Sequence, residues 1–254
     1  MIEKLRTALW FAQRPTHWQH AVALACRKFL PDKDMPDLRA KARIWAAEHA
    51  VPVTQALNKV GLNGDAHGMD PVLISQGTEL ASKSVAKMGG PGDLDLLSDA
   101  VRMTKACRVI ETGVAYGWSS LAILAAMETN GSGELISVDM PYPKMGNEDF
   151  VGIVVPERLR DHWRLVRQPD RPGLKKAIAM FDGKIDLCHY DSDKSWWGRG
   201  YAFPLLWDAL VPGGLLIADD IQDNLFFAEF AISKKLPFSV TMSAGKYVGL
   251  IRKT

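Results

Sequence analysis

The pattern of apolar and polar positions changes character near residue 92. Before that point, apolar residues recur at helical spacing in short stretches separated by prolines, which predicts a series of short helices. After it, short apolar runs alternate with helical stretches. This alternation predicts a parallel sheet that is covered by helices on both faces.

The second part contains five apolar runs of strand length, followed by two alternating runs that are joined by Ala244 and Gly245. The joined runs predict an antiparallel hairpin. The sequence therefore predicts an α/β fold with a doubly wound, mostly parallel seven-stranded sheet, a closing hairpin and an N-terminal helical extension. We expect two domains, residues 1–92 and 93–254, with Asp93 as the N-cap of the first helix of the second domain. The predicted strands are 107–112, 134–140, 163–168, 184–191, 215–221, 238–243 and 246–253.

Composition narrows the function classes only slightly. The chain has 47% hydrophobic and 24% charged residues and a formal net charge of +2, so it gives no electrostatic reason to expect a nucleic-acid partner. Cys26, Cys107 and Cys188 lie far apart, which favours buried free thiols over a disulfide or a zinc site. The chain shows neither a signal-peptide pattern nor an apolar run of about 20 residues, so we expect a cytoplasmic protein without a transmembrane segment.

The most informative stretch is RVIETGVAYGWSS at 108–120, where an apolar run ends at Glu111 and enters a loop with Gly113 and Gly117. Glycine permits positive φ, and the helix that begins near Ser119 offers free backbone N–H groups to a ligand. A phosphate-binding loop would show G-x-G-x-x-G or G-K-[ST], and neither is present. An ordinary turn of another doubly wound domain is the alternative interpretation.

With its E-x-G-x-x-x-G-x-S spacing, this stretch resembles the first motif of the class I S-adenosylmethionine-dependent methyltransferases. Asp139 follows the second strand, where an acid can accept hydrogen bonds from both ribose hydroxyls. The resemblance implies that Gly113 and Ser119 meet the methionine part of the cofactor and that Glu111 sits behind the turn. It also implies that the segment with Asp170 lies near the adenine, although Asp170 could instead start the next helix. The expected cofactor-binding residues are Glu111, Gly113, Gly117, Ser119, Asp139, Asp170 and Asp191.

Acids also end the fourth and fifth predicted strands, at Asp191 and at Asp219 with Asp220. Carboxylate oxygens on adjacent strand ends suit Mg²⁺ or Ca²⁺. The set resembles the metal site of the cation-dependent catechol and caffeoyl-CoA O-methyltransferases, in which a Lys three residues after the first Asp removes the acceptor proton. Here that position is Lys194, and beside a metal its pKa would fall.

The same stretch, D-S-D-K-S-W at 191–196, also resembles the D-G-D-H-S-Y motif of bacterial antibiotic- and sugar-tailoring methyltransferases. The cation-dependent resemblance implies that Asp191 and Lys194 are catalytic, whereas the tailoring motif has His at the position of Lys194 and leaves the identity of the base open. Trp196 sits in a loop at the ligand edge and His189 shares a strand face with Asp191, so we expect both to line the acceptor pocket. Two plainer interpretations stay open: Lys194 pairs with Asp193 at the surface, and His189 is simply packed.

These features predict an S-adenosylmethionine-dependent O-methyltransferase that is assisted by Mg²⁺ or another divalent cation and acts on a hydroxyl of a small molecule or sugar, as in natural-product biosynthesis. We expect a homodimer, with the extension serving as lid, acceptor-binding element or dimer contact. Specificity should lie in that extension and in the loops at 141–150 and 195–203. The alternatives are metal-independent transfer to nitrogen or oxygen and a non-catalytic partner subunit. A nicotinamide-dependent oxidoreductase is disfavoured because G-x-G-x-x-G is absent.

Overall fold

The computed structural model describes residues 2–141 and 146–254, with side chains from residue 7 onwards. Seven strands form one sheet in the order β3-β2-β1-β4-β5-β7-β6. Neighbours among β1 to β5 pair in parallel, whereas β7 pairs antiparallel with both β5 and β6. The strands are β1 (Arg108–Thr112), β2 (Glu134–Val138), β3 (Trp163–Val166), β4 (Ile185–Tyr190), β5 (Leu210–Ala218), β6 (Phe238–Ser243) and β7 (Lys246–Arg252).

Helices precede the sheet and connect its strands. Short 3₁₀ turns add Pro15–His17, Glu148–Phe150 and Ile221–Asp223. The α-helices are α1 (Ile2–Ala12), α2 (Trp18–Arg27), α3 (Pro36–His49), α4 (Val53–Lys59), α5 (Pro71–Ser82), α6 (Leu94–Thr104), α7 (Trp118–Asn130), α8 (Glu157–Arg160), α9 (Asp170–Met180), α10 (Trp196–Ala209) and α11 (Phe226–Lys234).

The sheet is buried on both faces, which is why its strands read as nearly continuous apolar runs. Successive side chains of a strand point to opposite faces, so Val109 packs with α6 and α7 while Ile110 packs with α9 and α10. Both side chains are fully buried. The predicted doubly wound sheet with a closing hairpin is confirmed, and Ala244 and Gly245 form its turn with φ of 49° and 78°.

Some boundaries differ from the predicted ones. β5 begins at Leu210 rather than at 215, because Val211 to Gly214 continue the strand through a register shift opposite Ile185 and Leu187. α10 keeps Pro204 inside it, although proline removes one helical hydrogen bond. No separate helix was predicted at α5.

The extension packs into the same core as the sheet. Ala56, Leu57 and Val60 are buried against α6 and α7, and the Val51 N–H donates to the Val240 carbonyl at 2.9 Å. Residue 92 therefore marks a change of sequence pattern and not a break in packing, and the division into two domains stays a prediction. No helix in 2–141 or 146–254 is long and apolar enough to cross a membrane.

The expectation about the cysteines was wrong in part. All three thiols are free, as predicted, but only Cys188 is buried. Cys26 and Cys107 are exposed, since one lies on the outer face of α2 and the other precedes β1.

Candidate active site

A cavity of about 350 Å³ opens at the carboxyl ends of the central parallel strands. This is the edge at which open α/β sheets bind ligands, because the loops that follow neighbouring strands diverge there. Of the residues predicted from the sequence, six line the cavity. They are Gly113, Ser119, Asp139, Asp191, Lys194 and Asp219.

The loop after β1 requires glycine at two positions. Gly113 has φ of +77°, and a Cβ there would lie 2.3 Å from the carbonyl oxygen of Asp191. Gly117 precedes α7 with φ of +90°, and a Cβ there would lie 2.9 Å from the Cα of Gly152. The loop can therefore pass close under the loop after β4 and deliver the start of α7, with Ser119 in its first turn, to the cavity.

Glu111 lies beneath that loop and is fully buried. Its Oε2 accepts hydrogen bonds from the hydroxyls of Ser120 and Ser137, both at 2.6 Å. Its Oε1 lies 3.8 Å from Nδ1 of His189. The carboxylate therefore ties α7 to β1 and β2 from behind.

Asp139 faces the cavity just after β2. Its Oδ1 accepts from the Val114 N–H at 3.1 Å, and its Oδ2 forms an ion pair with Arg167. Burial raises the pKa of Asp139, while Val114 and Arg167 act in the opposite direction. Sequence reasoning missed Arg167, which leaves the Asp139 carboxylate only partly free for a ligand.

Lys194 sits between two of the predicted metal ligands. Its Nζ lies 2.9 Å from Oδ1 of Asp191 and forms an ion pair with Oδ2 of Asp220, which Lys246 also approaches at 3.3 Å. Burial alone would lower the pKa of Lys194, but Asp191 and Asp220 outweigh it and raise that pKa above its usual value. Between these two carboxylates Lys194 is held as an ammonium, and the downward shift expected beside a divalent cation stays a prediction.

Asp191 shifts towards neutrality instead. Burial, and next the charge of Asp219, raise its pKa to about 6, although Lys194 and His189 pull it down. A carboxylate with a pKa near the working pH can accept a proton efficiently.

His189 lies under the cavity with a side chain that is only 1% exposed. Its Nε2 is 3.3 Å from Oδ1 of Asp219. Burial favours the neutral ring, but Asp219 and Glu111 on either side raise the pKa of His189 to about 10. A buried imidazolium therefore connects the acid behind the β1 loop with the acid on the cavity wall.

The turn after β5 is fixed from below by Arg199, which is fully buried. Its guanidinium donates to the carbonyls of Asp219 and Asp220 at 2.9 and 2.7 Å and to Oδ1 of Asn224 at 3.2 Å. Asp220 adopts φ of 51° there, which aims its carboxylate at Lys194 and Lys246 rather than into the cavity.

Comparison with known proteins decides the class. Residues 110–221 match the family model of a methyltransferase domain, a span that starts in β1 and ends just after β5. The chain contains a methyltransferase domain. With the sheet order, this match confirms the predicted class I methyltransferase of the S-adenosylmethionine-dependent type. No protein of curated function matches the sequence.

Solved structures share the fold at low identity. An O-methyltransferase from Bacillus cereus in complex with SAH aligns over 84% of this chain and 100% of its own, with 13% identity and a TM-score of 0.53. An SAH-bound methyltransferase from Podospora anserina aligns over 89% and 98%, with 15% identity and a TM-score of 0.53. A putative caffeoyl-CoA O-methyltransferase from Staphylococcus aureus aligns over 72% and 93%, with 14% identity and a TM-score of 0.52.

The other site residues predicted from the sequence do not line the cavity. Asp170 starts α9, where its carboxylate accepts from the hydroxyls of Ser192 at 2.6 Å and Tyr190 at 3.2 Å. Trp196 starts α10 and packs against Phe226 with ring centroids 5.1 Å apart. Glu111, Gly117, Asp220 and His189 lie beneath or beside the wall, as described above.

Sequence reasoning missed the segment Lys87 to Gly92, which lines the cavity of the methyltransferase domain between α5 and α6. The Tyr116 hydroxyl anchors it by donating to the Ala86 carbonyl at 2.8 Å and accepting from the Met88 N–H at 3.2 Å. The glycines of KMGGPG were a usable signal for a ligand-facing loop. Asn147, from the predicted specificity loop at 141–150, also lines the cavity, and so does Lys246, which no sequence signal marked.

The structure does not assemble the predicted three-carboxylate metal site. Within 2–141 and 146–254, no three His, Cys, Asp or Glu side chains are grouped so that they could hold a metal ion. Asp191 and Asp219 face the cavity, whereas the third predicted ligand, Asp220, is engaged by lysines. Residues 142–145 of the predicted specificity loop lie outside the described residues.

Proposed function

We propose that this methyltransferase domain transfers the methyl group of S-adenosylmethionine to a hydroxyl oxygen of a small molecule or sugar. The observation that carries the proposal is the composition of one cavity. Its wall combines the glycine loop and Asp139, which we assign as the cofactor end, with Asp191, Lys194 and Asp219, which we assign as the acceptor end. A cofactor and a hydroxyl acceptor can therefore meet inside one enclosed space.

The end formed by Gly113, Ser119 and Asp139 suits the cofactor. Gly113 lets the backbone approach the ligand. Ser119 lies in the first turn of α7, where backbone N–H groups have no partner within the helix and can donate to a ligand. Asp139 can accept hydrogen bonds from ribose hydroxyls. The SAH complexes of the Bacillus cereus and Podospora anserina proteins, which share the fold, support this assignment.

The end formed by Asp191 and Lys194 suits a hydroxyl acceptor. Asp191, with its pKa near 6, can accept the hydroxyl proton, and the Lys194 ammonium stabilises the negative charge that develops on the oxygen. That oxygen then attacks the sulfonium methyl, and the cofactor leaves as a neutral thioether. Asp191 replaces Lys194 as the proposed base, because Lys194 carries its proton tightly.

At the acceptor end, a divalent cation would be held by Asp191 and Asp219, two of the carboxylates that line the cavity. Two carboxylates can hold Mg²⁺ when water supplies its remaining ligands. Such an ion would stabilise charge on the acceptor oxygen. Metal-independent transfer is the second candidate, favoured by the Lys194 ammonium that already neutralises Asp191. Activity that EDTA abolishes and Mg²⁺ restores would establish the first candidate, and activity that EDTA leaves unchanged would establish the second.

We further propose a cytoplasmic homodimer. Exposed apolar residues of the extension, such as Phe29 at 90% and Val22 at 62%, support a contact between two copies. Light scattering coupled to size-exclusion chromatography measures the mass in solution, and a monomeric mass at high micromolar protein would contradict the dimer.

Calorimetric titration with S-adenosylhomocysteine tests the assignment itself. We expect micromolar binding by the wild type and at least about tenfold weaker binding by Asp139→Ala, because a hydrogen-bonded carboxylate is removed from the cofactor end. Asp161→Ala, which changes an exposed acid before β3, serves as the matched control. Absence of binding by the wild type would overturn the enzyme assignment in favour of a non-catalytic partner subunit.

A further inference from the structure

We infer that Arg27 and Asp34 of the N-terminal extension are positioning residues for Lys194, so that the extension forms part of the catalytic apparatus. The inference rests on the proposed function, which places Lys194 at the acceptor end of the cavity. It gives residues 27–34 a role other than lid, acceptor pocket or dimer contact.

Arg27, at the end of α2, holds the residue before Lys194. Its guanidinium forms an ion pair with Asp193 and donates to the Ser195 hydroxyl at 2.9 Å. Both charged side chains are largely enclosed, with exposures of 18% and 21%. Burial alone would raise the pKa of Asp193, but Arg27 and Ser195 hold it below its usual value. The pair is therefore charged and sheltered, where an ion pair with two directed hydrogen bonds fixes geometry well.

Asp34 holds the residues on the other side. Its Oδ1 accepts from the Trp196 N–H at 2.9 Å and from Nδ2 of Asn224 at 2.7 Å. The same Asn224 nitrogen donates to the Lys194 carbonyl at 2.8 Å. Asn224 is only 1% exposed. A buried amide thus connects the extension directly to the Lys194 backbone.

Lys194 is one of the residues of this loop that line the cavity, and its flexible four-carbon stem does not orient itself. The direction of its ammonium depends on the backbone from which it starts. That backbone is held from the extension at Asp193, Ser195 and Trp196, and from within the domain by the Tyr190 hydroxyl, which donates to the Asp193 carbonyl at 2.9 Å. Loss of the extension contacts leaves one side of the loop unsupported.

The alternative is that these contacts only fasten the extension to the domain. A fastening role predicts lower unfolding stability without a change at Lys194. The readout must therefore report on Lys194 itself and must not depend on an identified acceptor.

Pulse labelling with acetic anhydride, quantified for each lysine by mass spectrometry, gives that readout. In the wild type, Lys194 should react slowly because two carboxylates enclose its ammonium, with exposed Lys83 and Lys105 as internal references. In Arg27→Ala and Asp34→Ala we expect Lys194 to react about fivefold faster, which is a typical coupling between residues of one network.

Two matched variants sharpen the test. Asp34→Asn keeps an acceptor oxygen for Trp196 and Asn224 and should retain the slow labelling of Lys194, whereas Asp34→Ala should not. Arg43→Ala removes an exposed arginine of α3 and should change nothing. All comparisons use variants whose melting curves show a folded protein under the labelling conditions, and Arg27→Lys is the substitute if Arg27→Ala does not fold.

The outcome separates this inference from the proposed function. Unchanged Lys194 labelling in Arg27→Ala and Asp34→Ala would overturn the positioning role, even if S-adenosylhomocysteine binds. If Lys194 is labelled faster in these variants but the wild type does not bind S-adenosylhomocysteine, the proposed function is overturned. The dependence of Lys194 on the contacts of Arg27 and Asp34 is then still established. With an acceptor in hand, the same variants should lower kcat about tenfold and leave cofactor affinity within about twofold.

Discussion

Gly113 passes so closely beneath Asp191 that a Cβ on the glycine would lie 2.3 Å from the Asp191 carbonyl oxygen. The obstacle is backbone, not a side chain that could rotate away. The cofactor loop and the loop that carries the proposed base are therefore fitted to each other at this one position, and a change there alters both ends of the cavity together.

Gly113→Ala should abolish cofactor binding. The new methyl group clashes with the Asp191 backbone, and φ of +77° costs an L-residue roughly 1–2 kcal/mol in addition. Titration with S-adenosylhomocysteine measures the loss. Gly90→Ala, in a cavity-lining segment with open space around it, is the control and should bind normally. Normal binding by Gly113→Ala would show that the two loops are not fitted as described.

Lys194→Met should lower kcat by about a hundredfold or more, because the charge that stabilises the acceptor oxygen is lost. Lys246→Met should cost much less, since that side chain is 56% exposed and lies 3.3 Å from Asp220 only. Steady-state kinetics on both variants make the comparison. Equal losses in the two would indicate that general neutralisation of the acids, and not the place of Lys194, supports the reaction.

Asp170 should make the protein less stable as the pH rises. Burial raises its folded-state pKa to about 6 from 3.8, so the folded protein holds this proton more tightly than the unfolded chain does. Stability therefore falls as the pH rises from about 4 to 6 and stays lower above that, by up to about 3 kcal/mol. Asp170→Asn should flatten this part of the curve in urea unfolding at several pH values, whereas Asp161→Asn should not. A wild-type stability that rises steadily from pH 4 to 6 and is unaffected by Asp170→Asn would contradict the shift.

His189 should remain an imidazolium at pH 8. Its folded-state pKa of about 10 exceeds the ordinary 6.5, so the stabilisation is fully present below pH 6.5 and disappears as the pH rises through 10. Nitrogen chemical shifts of labelled histidine report the charge directly. Asp219→Asn should lower the pKa of His189, because Asp219 is its nearest negative charge. A neutral His189 ring at pH 8 in the wild type would refute the described chain of charges.

The sequence predicted the sheet well because both of its faces are buried. Strands β1 to β5 form apolar runs in the sequence. Three turns of the fold need positive φ at positions where the sequence has glycine, namely Gly113, Gly117 and Gly245. The acids and glycines that follow the predicted strands also located the cavity correctly, at the carboxyl ends of those strands. β5 began earlier than predicted because the Pro212 and Gly213 turn signals lie inside a strand that tolerates a register shift.

The charges of the site could not be predicted from the sequence. Terminal acids suggest a metal site, but the side chains that neutralise them come from distant positions: Arg167 for Asp139, and Lys246 for Asp220. Whether Lys194 gains or loses a proton depends on two carboxylates that only the fold brings to it. Likewise, no local pattern could reveal that Arg27 and Asp34 contact the loop of Lys194 across more than 150 positions.

The position of β7 within the sheet bears on how the protein is made. Because β7 lies between β5 and β6, the outer edge of β5 has no partner until residues 246–252 have been synthesised. The glycine loop, Asp191 and Lys194 precede β7 in the sequence and are synthesised earlier. During that interval the apolar outer edge of β5 has no hydrogen-bonded neighbour. Such an edge pairs readily with other chains. We therefore expect nascent chains that stop between α11 and β7 to be the ones that chaperones hold and that aggregate when chaperones are limiting.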